Sequence, residues 1–313
     1  MKKIFLSLVV ALMTAGVVNA QDLQSVVDMY NAAAVVLNEG KSEEALNSFN
    51  ATLTAAANLG DEGAQVVNDC KEIIPKILLQ VGKDKAEAKD FDGAVNAFKE
   101  AVAKANEFSN NVDVAEEAKN LIPKLMMAEA GQRLSAKDYA GAIAAYNVVV
   151  EADSTNGVAL LRLGMAQAAS GNAEEAIVSL NKAVANGQES AAKKQLSNIY
   201  LKKAVACQKA KDFKGMLENA KLSAAENDSP NAQKLIGTSA LQLKQNKIAA
   251  EAFEAYLALK PNANDKAQTM YQIGTAYVGV GDNAKACSYF KQIVNDAQWG
   301  EAAKYQVTVL KCN

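Results

Sequence analysis

The residues that could do chemistry are few in this chain. It contains no histidine, and its four cysteines, Cys70, Cys207, Cys287 and Cys312, form no CxxC pair. Without imidazole, the usual zinc ligand and the usual general base are both missing. Cys287 and Cys312 lie close together near the C-terminus, so they can bridge if a last helix folds back, or stay apart as small core residues. Carboxylates occur as Glu43-Glu44, Glu116-Glu117 and Glu174-Glu175, and lysines as Lys193-Lys194 and Lys202-Lys203. Such pairs suit solvated helix faces and helix N-termini, where negative charge is favoured. Nothing sets two of the carboxylates in a cleft with aromatic sugar platforms, as glycoside hydrolysis requires. The expectation is therefore no enzyme, no cofactor and no metal, with function resting on what the surface can hold.

Position in the cell follows from the first residues. Lys2 and Lys3 precede an apolar stretch from Ile4 to Val18, and Val18-Asn19-Ala20 then meets the polar Gln21. This is the pattern of a secretory signal peptide, residues 1–20, cleaved after Ala20. The expected location is periplasmic or extracellular. No Cys follows the apolar stretch to take a lipid, and no later segment reaches the ~20 apolar residues of a span, so membrane insertion is not expected. Loss of Lys2 and Lys3 reduces 33 basic residues to 31, against 35 acidic ones. That balance argues against nucleic acid as a partner. Asp153-Ser154-Thr155 resembles a short O-glycan acceptor, while Asn50-Ala51-Thr52 and Asn227-Asp228-Ser229 match the N-glycan sequon by coincidence.

The elements that would carry these residues repeat. Ile74-Pro75-Lys76 returns as Ile122-Pro123-Lys124, and Lys89-Asp90-Phe91-Asp92-Gly93-Ala94 as Lys137-Asp138-Tyr139-Ala140-Gly141-Ala142. Phe98 recurs as Tyr146. A small residue followed four positions later by a bulky one appears again at Ala45 and Phe49, Ala176 and Leu180, and Ala286 and Phe290, each after a Gly-containing turn. Weaker copies sit at Phe213, Met216 and Ala220, and at Ala249 and Phe253. The spacing predicts seven pairs of antiparallel helices, in which Ala lets two backbones approach and the bulky residue fills the gap beside it. No such pair can bury its apolar face alone, so the pairs must stack.

Those residues, with Gly164, Gly237, Gly274, Tyr277, Ala183 and Pro261, resemble the tetratricopeptide-repeat family over roughly residues 24–296. The resemblance implies an all-α, right-handed α-solenoid of about seven helix pairs, with a capping helix from Trp299 to Leu310. Its expected divisions are extended units over 21–111, ordinary units over 112–298 and the cap over 299–313. The step from Ala94 to Ala142 exceeds the one from Ala142 to Ala176 by 14 residues, about four helical turns. The expectation places roughly two of those turns on each facing helix, with Pro75 and Pro123 inside long helices and turns at Gly60–Gly63 and Ser109–Asp113. In this family partners lie along the concave face lined by first helices, which maps here onto Leu79, Met127, Leu134, Leu161, Met165, Leu201, Val205, Tyr271 and Thr275. The Lys and Asn clamp for acidic chaperone tails is incomplete: Lys234 is present, but Thr238 and Gln272 stand at the related positions. The resemblance thus implies a scaffold for an unidentified envelope protein or peptide; a cell-wall or glycan-associated module and a self-assembling homo-oligomer are the alternatives.

Overall fold

The computed structural model describes residues 19–108 and 111–312, with side chains from Gln21 onward. The expected leader lies outside the described residues except for Asn19 and Ala20, and so do Ser109 and Asn110 of the expected turn. Among the described residues there are fifteen α-helices and no strand. The chain divides into two compact units at Ser154 and Thr155. The first contains α1 (Asn19–Asn38), α2 (Ser42–Ala57), α3 (Ala64–Glu87), α4 (Phe91–Glu107), α5 (Val112–Ser135) and α6 (Tyr139–Ala152), with one 3₁₀ turn at Gly60–Gly63. The second contains α7 (Gly157–Ser170), α8 (Ala173–Ala185), α9 (Glu189–Lys209), α10 (Phe213–Glu226), α11 (Pro230–Gln242), α12 (Asn246–Leu259), α13 (Lys266–Val280), α14 (Asn283–Gln292) and α15 (Gly300–Val309). Within each unit every helix packs chiefly on the next, so the fold is all-α and built of consecutive antiparallel pairs.

One register holds each pair together. A small residue on the first helix meets a small residue twelve positions on and a bulky one sixteen positions on, as in Gly237, Ala249 and Phe253. Ala249 and Phe253 are fully buried. A Cβ on Gly237 would lie 2.7 Å from the Phe253 ring, and one on Gly274 would lie 2.6 Å from Phe290. The absent side chain is therefore what lets the ring lie against the backbone. Gly82 with Ala94 and Phe98, and Gly164 with Ala176 and Leu180, repeat the arrangement, while Ala33 and Ala130 replace the glycine before Phe49 and Tyr146. In the fifth pair the bulk changes place: Ala204 faces Met216 and then Ala220, all fully buried. Exchanging a large and a small residue along one seam conserves volume, which is why this copy is weak in sequence and sound in packing.

The turn inside each pair has its own chemistry. Seven turns each place one residue in the left-handed region, Gly at 40, 171 and 281 and Lys at 89, 137, 211 and 244. The amide of the following residue then reaches back to a carbonyl five positions earlier, as from Asp90 to Lys85 O at 2.9 Å and from Asp212 to Cys207 O at 2.9 Å. This caps the C-terminus of the first helix. Asp90, Asp138 and Asp212 then cap the second helix by accepting from the amides of Gly93, Gly141 and Gly215 at 3.0, 3.0 and 2.9 Å. Arg133 ties one such turn down: its Nε donates to the buried Glu129 carboxylate at 2.6 Å and its Nη1 to Asp138 Oδ2 at 2.9 Å. The Gly141 amide, and then Arg133, hold the Asp138 carboxyl below the usual range. Asp90→Ala and Asp212→Ala are each expected to lose about 1 kcal/mol in urea denaturation, the typical loss of an N-cap.

The extra length falls mainly on the first helices. α3 and α5 are 24 residues long, against 14 in α7, whereas the second helices α2 and α4 are 16 and 17 against 13 in α8. An equal division between facing helices is therefore incorrect. A first helix can project beyond its partner because the neighbouring first helices α1, α3 and α5 touch one another and cover it. Length is not confined to the N-terminal part either, since α9 has 21 residues. Pro75 and Pro123 lie inside α3 and α5.

The last helix, α15, covers the end of the second unit with the buried Ala303 and the half-buried Val307 and Leu310. A disulfide joins Cys287 on α14 to Cys312 just beyond α15, with 5.5 Å between Cα atoms. Trp299 lies before α15, half-buried, its ring 5.1 Å from that of Tyr271.

Candidate interaction surface

Adjacent first helices touch in the second unit, α7 with α9 and α9 with α11, so their outward residues share one face. On α7 that face holds Val158, Leu161 and Met165, and on α9 Leu201 and Val205. Val158 is 44% exposed, and Met165 and Val205 are each 36% exposed, while Leu161 and Leu201 are half-buried between them. The helical period explains the grouping, because residues three and four apart stack on one side.

The remaining residues expected on such a face are distributed differently. Leu79 is buried among the core side chains of the first unit and offers no surface. Its neighbours Ile77, Leu78 and Val81 are buried too, because α3 is packed by α2, α4 and α5 together. Met127 and Leu134 are half-buried on α5. Tyr271 is half-buried with its ring 5.3 Å from Phe290 and 5.1 Å from Trp299, so it serves the seam and the cap. Thr275 is exposed, but its hydroxyl donates to the Tyr271 carbonyl of its own helix. Lys234, the one clamp-like lysine, is ion-paired with Asp265 and lies 5.7 Å from the Tyr256 ring. The N-glycan sequons are structural: Thr52 is fully buried, and the Ser229 hydroxyl caps α11.

The charge on these helices was not legible as a pattern until the pairs were assigned. In the second unit the first helices carry Arg162 on α7, five lysines on α9, Lys234 on α11 and Lys266 on α13, against one carboxylate, Glu189. Glu189 is itself ion-paired with Lys193. In the first unit the first helices carry ten acids and seven bases. A nearly neutral chain thus places a strong positive excess on one layer of one unit. The signal was present in the sequence as acid-free segments of helical length.

An open groove of about 600 Å³ lies among α12, α13 and α14, lined by Leu257, Pro261, Lys266, Met270, Lys285 and Gln292, among others. Glu254 Oε1 accepts the hydroxyls of Tyr277 at 2.7 Å and Tyr289 at 2.8 Å, and the two rings stack 6.0 Å apart. Burial, and then Glu254, push Tyr277 up to about 12 and Tyr289 higher still. Burial first, and then neighbouring carboxylates, likewise push Tyr30 and Tyr256 to about 12. The unfolded chain would ionise these phenols near pH 10, so their contribution to stability is complete below that and is lost as pH rises toward 12. Titration at 295 nm, read with Phe variants at each position, should show Tyr30, Tyr256, Tyr277 and Tyr289 still protonated as pH passes 10; ionisation of these four near pH 10 would contradict the geometry.

Comparison with known proteins agrees with the register. The family pattern "Tetratricopeptide repeat" matches residues 133–199 and, in a second form, residues 267–295. These stretches contain the Gly164 and Gly274 seams, and the chain carries tetratricopeptide repeats there. Among curated proteins none matches. Solved structures that are similar include "Crystal structure of MamA protein", 25% identical, covering 59% of this chain and 95% of that one, with a TM-score of 0.36. "YrrB: a TPR protein with an unusual peptide-binding site" is 18% identical over 68% of this chain and all of that one, with a TM-score of 0.35. "MamA 41-end from Desulfovibrio magneticus RS-1" is 17% identical over 58% and 96%, with a TM-score of 0.33.

Proposed function

We propose that this chain is an exported interaction scaffold that holds a segment of another protein, in the bacterial cell envelope, on the face formed by its first helices. The observation that carries the proposal is the apolar strip across α7 and α9. Val158, Met165 and Val205 remain exposed there although the same helices bury Leu160, Leu163, Leu196 and Ile199 and half-bury Leu161 and Leu201. A contiguous apolar strip on stacked helices fits a docked helix or extended peptide, whose side chains enter between the first helices. Export is supported by the pattern of Lys2, Lys3, Ile4 to Val18 and Ala20, so the form to test begins at Gln21.

The test uses the double substitution Leu161→Glu with Met165→Glu. Both positions lie outside the pair seams, so the variant should keep its helical circular dichroism and its urea midpoint. It is expected to lose at least about tenfold in affinity for peptides selected from a displayed library on the unsubstituted chain, the effect of a charge in an apolar contact. A folded variant that binds those peptides unchanged would remove this face from the function.

A further inference from the structure

We infer that the segment held on the α7–α9 face is acidic, an amphipathic stretch whose aliphatic side chains meet the apolar strip and whose carboxylates meet the cations around it. The inference rests on the scaffold proposal and specifies its partner. At 100° per residue, positions 194, 198, 201, 202, 205 and 209 of α9 fall within about 100° of arc. Lys194, Lys202 and Lys209 therefore flank Leu201 and Val205 on the outward side, and Arg162 stands beside Leu161 and Met165 on α7. All four cations are exposed, and none of them has an ion pair among the described residues. Lys193 and Lys203, the remaining lysines of α9, are paired with Glu189 and Glu174.

Selectivity follows from what is missing as much as from what is present. α7 and α11 contain no carboxylate, and α9 has only Glu189, its first residue, already engaged by Lys193. A basic or neutral peptide would find no counter-charge on this face, and the flanking cations would repel a basic one. An acidic peptide would be drawn in at a distance and fixed in register by the flanking pairs. The apolar centre separates this surface from a simple polyanion site, because a phosphate backbone has nothing to place on Leu201 and Val205.

The experiment compares two fluorescent synthetic peptides of about 16 residues, long enough to cross both helices. Each carries leucines three and four residues apart, one on a glutamate background and one on a lysine background. The probes are titrated against the processed chain and against Lys194→Glu/Lys202→Glu/Lys209→Glu. The glutamate peptide is expected to bind the unsubstituted chain at least about tenfold more tightly, with the preference reversed in the variant and weakened by added salt. Equal binding of the two peptides would overturn the acidic partner and leave the scaffold proposal standing. A displayed library that yields binders with no acidic excess would do the same. Failure of both peptides and of the library would overturn the scaffold proposal itself. Binding of RNA or of anionic vesicles as tight as that of the glutamate peptide would also overturn the inference, as would a dimer of the chain that the triple variant dissociates.

Discussion

Phe253→Ala is expected to destabilise the protein by about 3–5 kcal/mol, the range for removing a buried aromatic side chain from a core that cannot collapse around the gap. The ring is fully buried and lies against the backbone of α11 where Gly237 has no side chain. Ala249 and Ala250 beside it are too small to move in and fill the space. Because each pair touches only its neighbours, the damage should be local. Amide exchange should rise first in α11, α12 and α13, while α7 and α8 keep their protection. Urea denaturation followed by circular dichroism gives the size of the loss, and exchange gives its place. A uniform rise in exchange over both units, or a loss below about 1 kcal/mol, would mean that the seam is not the unit of stability. Filling the glycine should also destabilise, since a Cβ on Gly237 would press on the same ring.

Loss of the Cys287–Cys312 bridge is expected to remove about 3.5 kcal/mol, by the chain entropy of its loop. The two cysteines are 25 residues apart and enclose the whole of α15. α15 packs on α14 and on no other helix to a comparable degree, so the cap has little else to hold it. Its own apolar contribution is small: Ala303 is buried, but Val307, Leu310 and Trp299 are only half-buried. Cys287→Ser/Cys312→Ser should therefore melt at a lower temperature than the oxidised chain, with α15 the first helix to exchange its amides. The reduced unsubstituted chain should match the variant. In the folded chain burial pushes the Cys70 thiol up to about 12, which keeps it from supplying a thiolate for exchange before it unfolds. Coincident melting of the oxidised chain and the variant would show that the bridge constrains nothing.

Much of the fold was legible because the seam uses residues of extreme size at fixed spacing. Ala94 with Phe98, Ala142 with Tyr146 and Ala286 with Phe290 stand out because a residue that must let two backbones touch has almost no alternatives. The first-helix member of the seam was harder to see where it was alanine, as at Ala33, Ala130 and Ala204, since alanine is abundant in every helix here. The fifth pair was legible only weakly, because Met216 and Ala220 exchange sizes and the pattern depends on order, whereas packing depends on volume. The acid-poor first helices of the second unit were present in the sequence, but charge acquires a side only when the helices that carry it are aligned.

The sequence by itself determined that the chain is helical, that its helices come in pairs, where each pair turns, and that no histidine chemistry is open to it. These are local matters of spacing, capping residues and side-chain size, which neighbouring positions decide among themselves. Only the tertiary structure decided that Leu79 belongs to the core, that Tyr271 braces the cap and that Lys234 is occupied by Asp265. It also decided that Val158, Met165 and Val205 remain at the surface amid unpaired cations. Burial and pairing depend on which helices arrive from elsewhere in the chain, and a period of 3.6 residues gives the face of a helix without naming what will cover it.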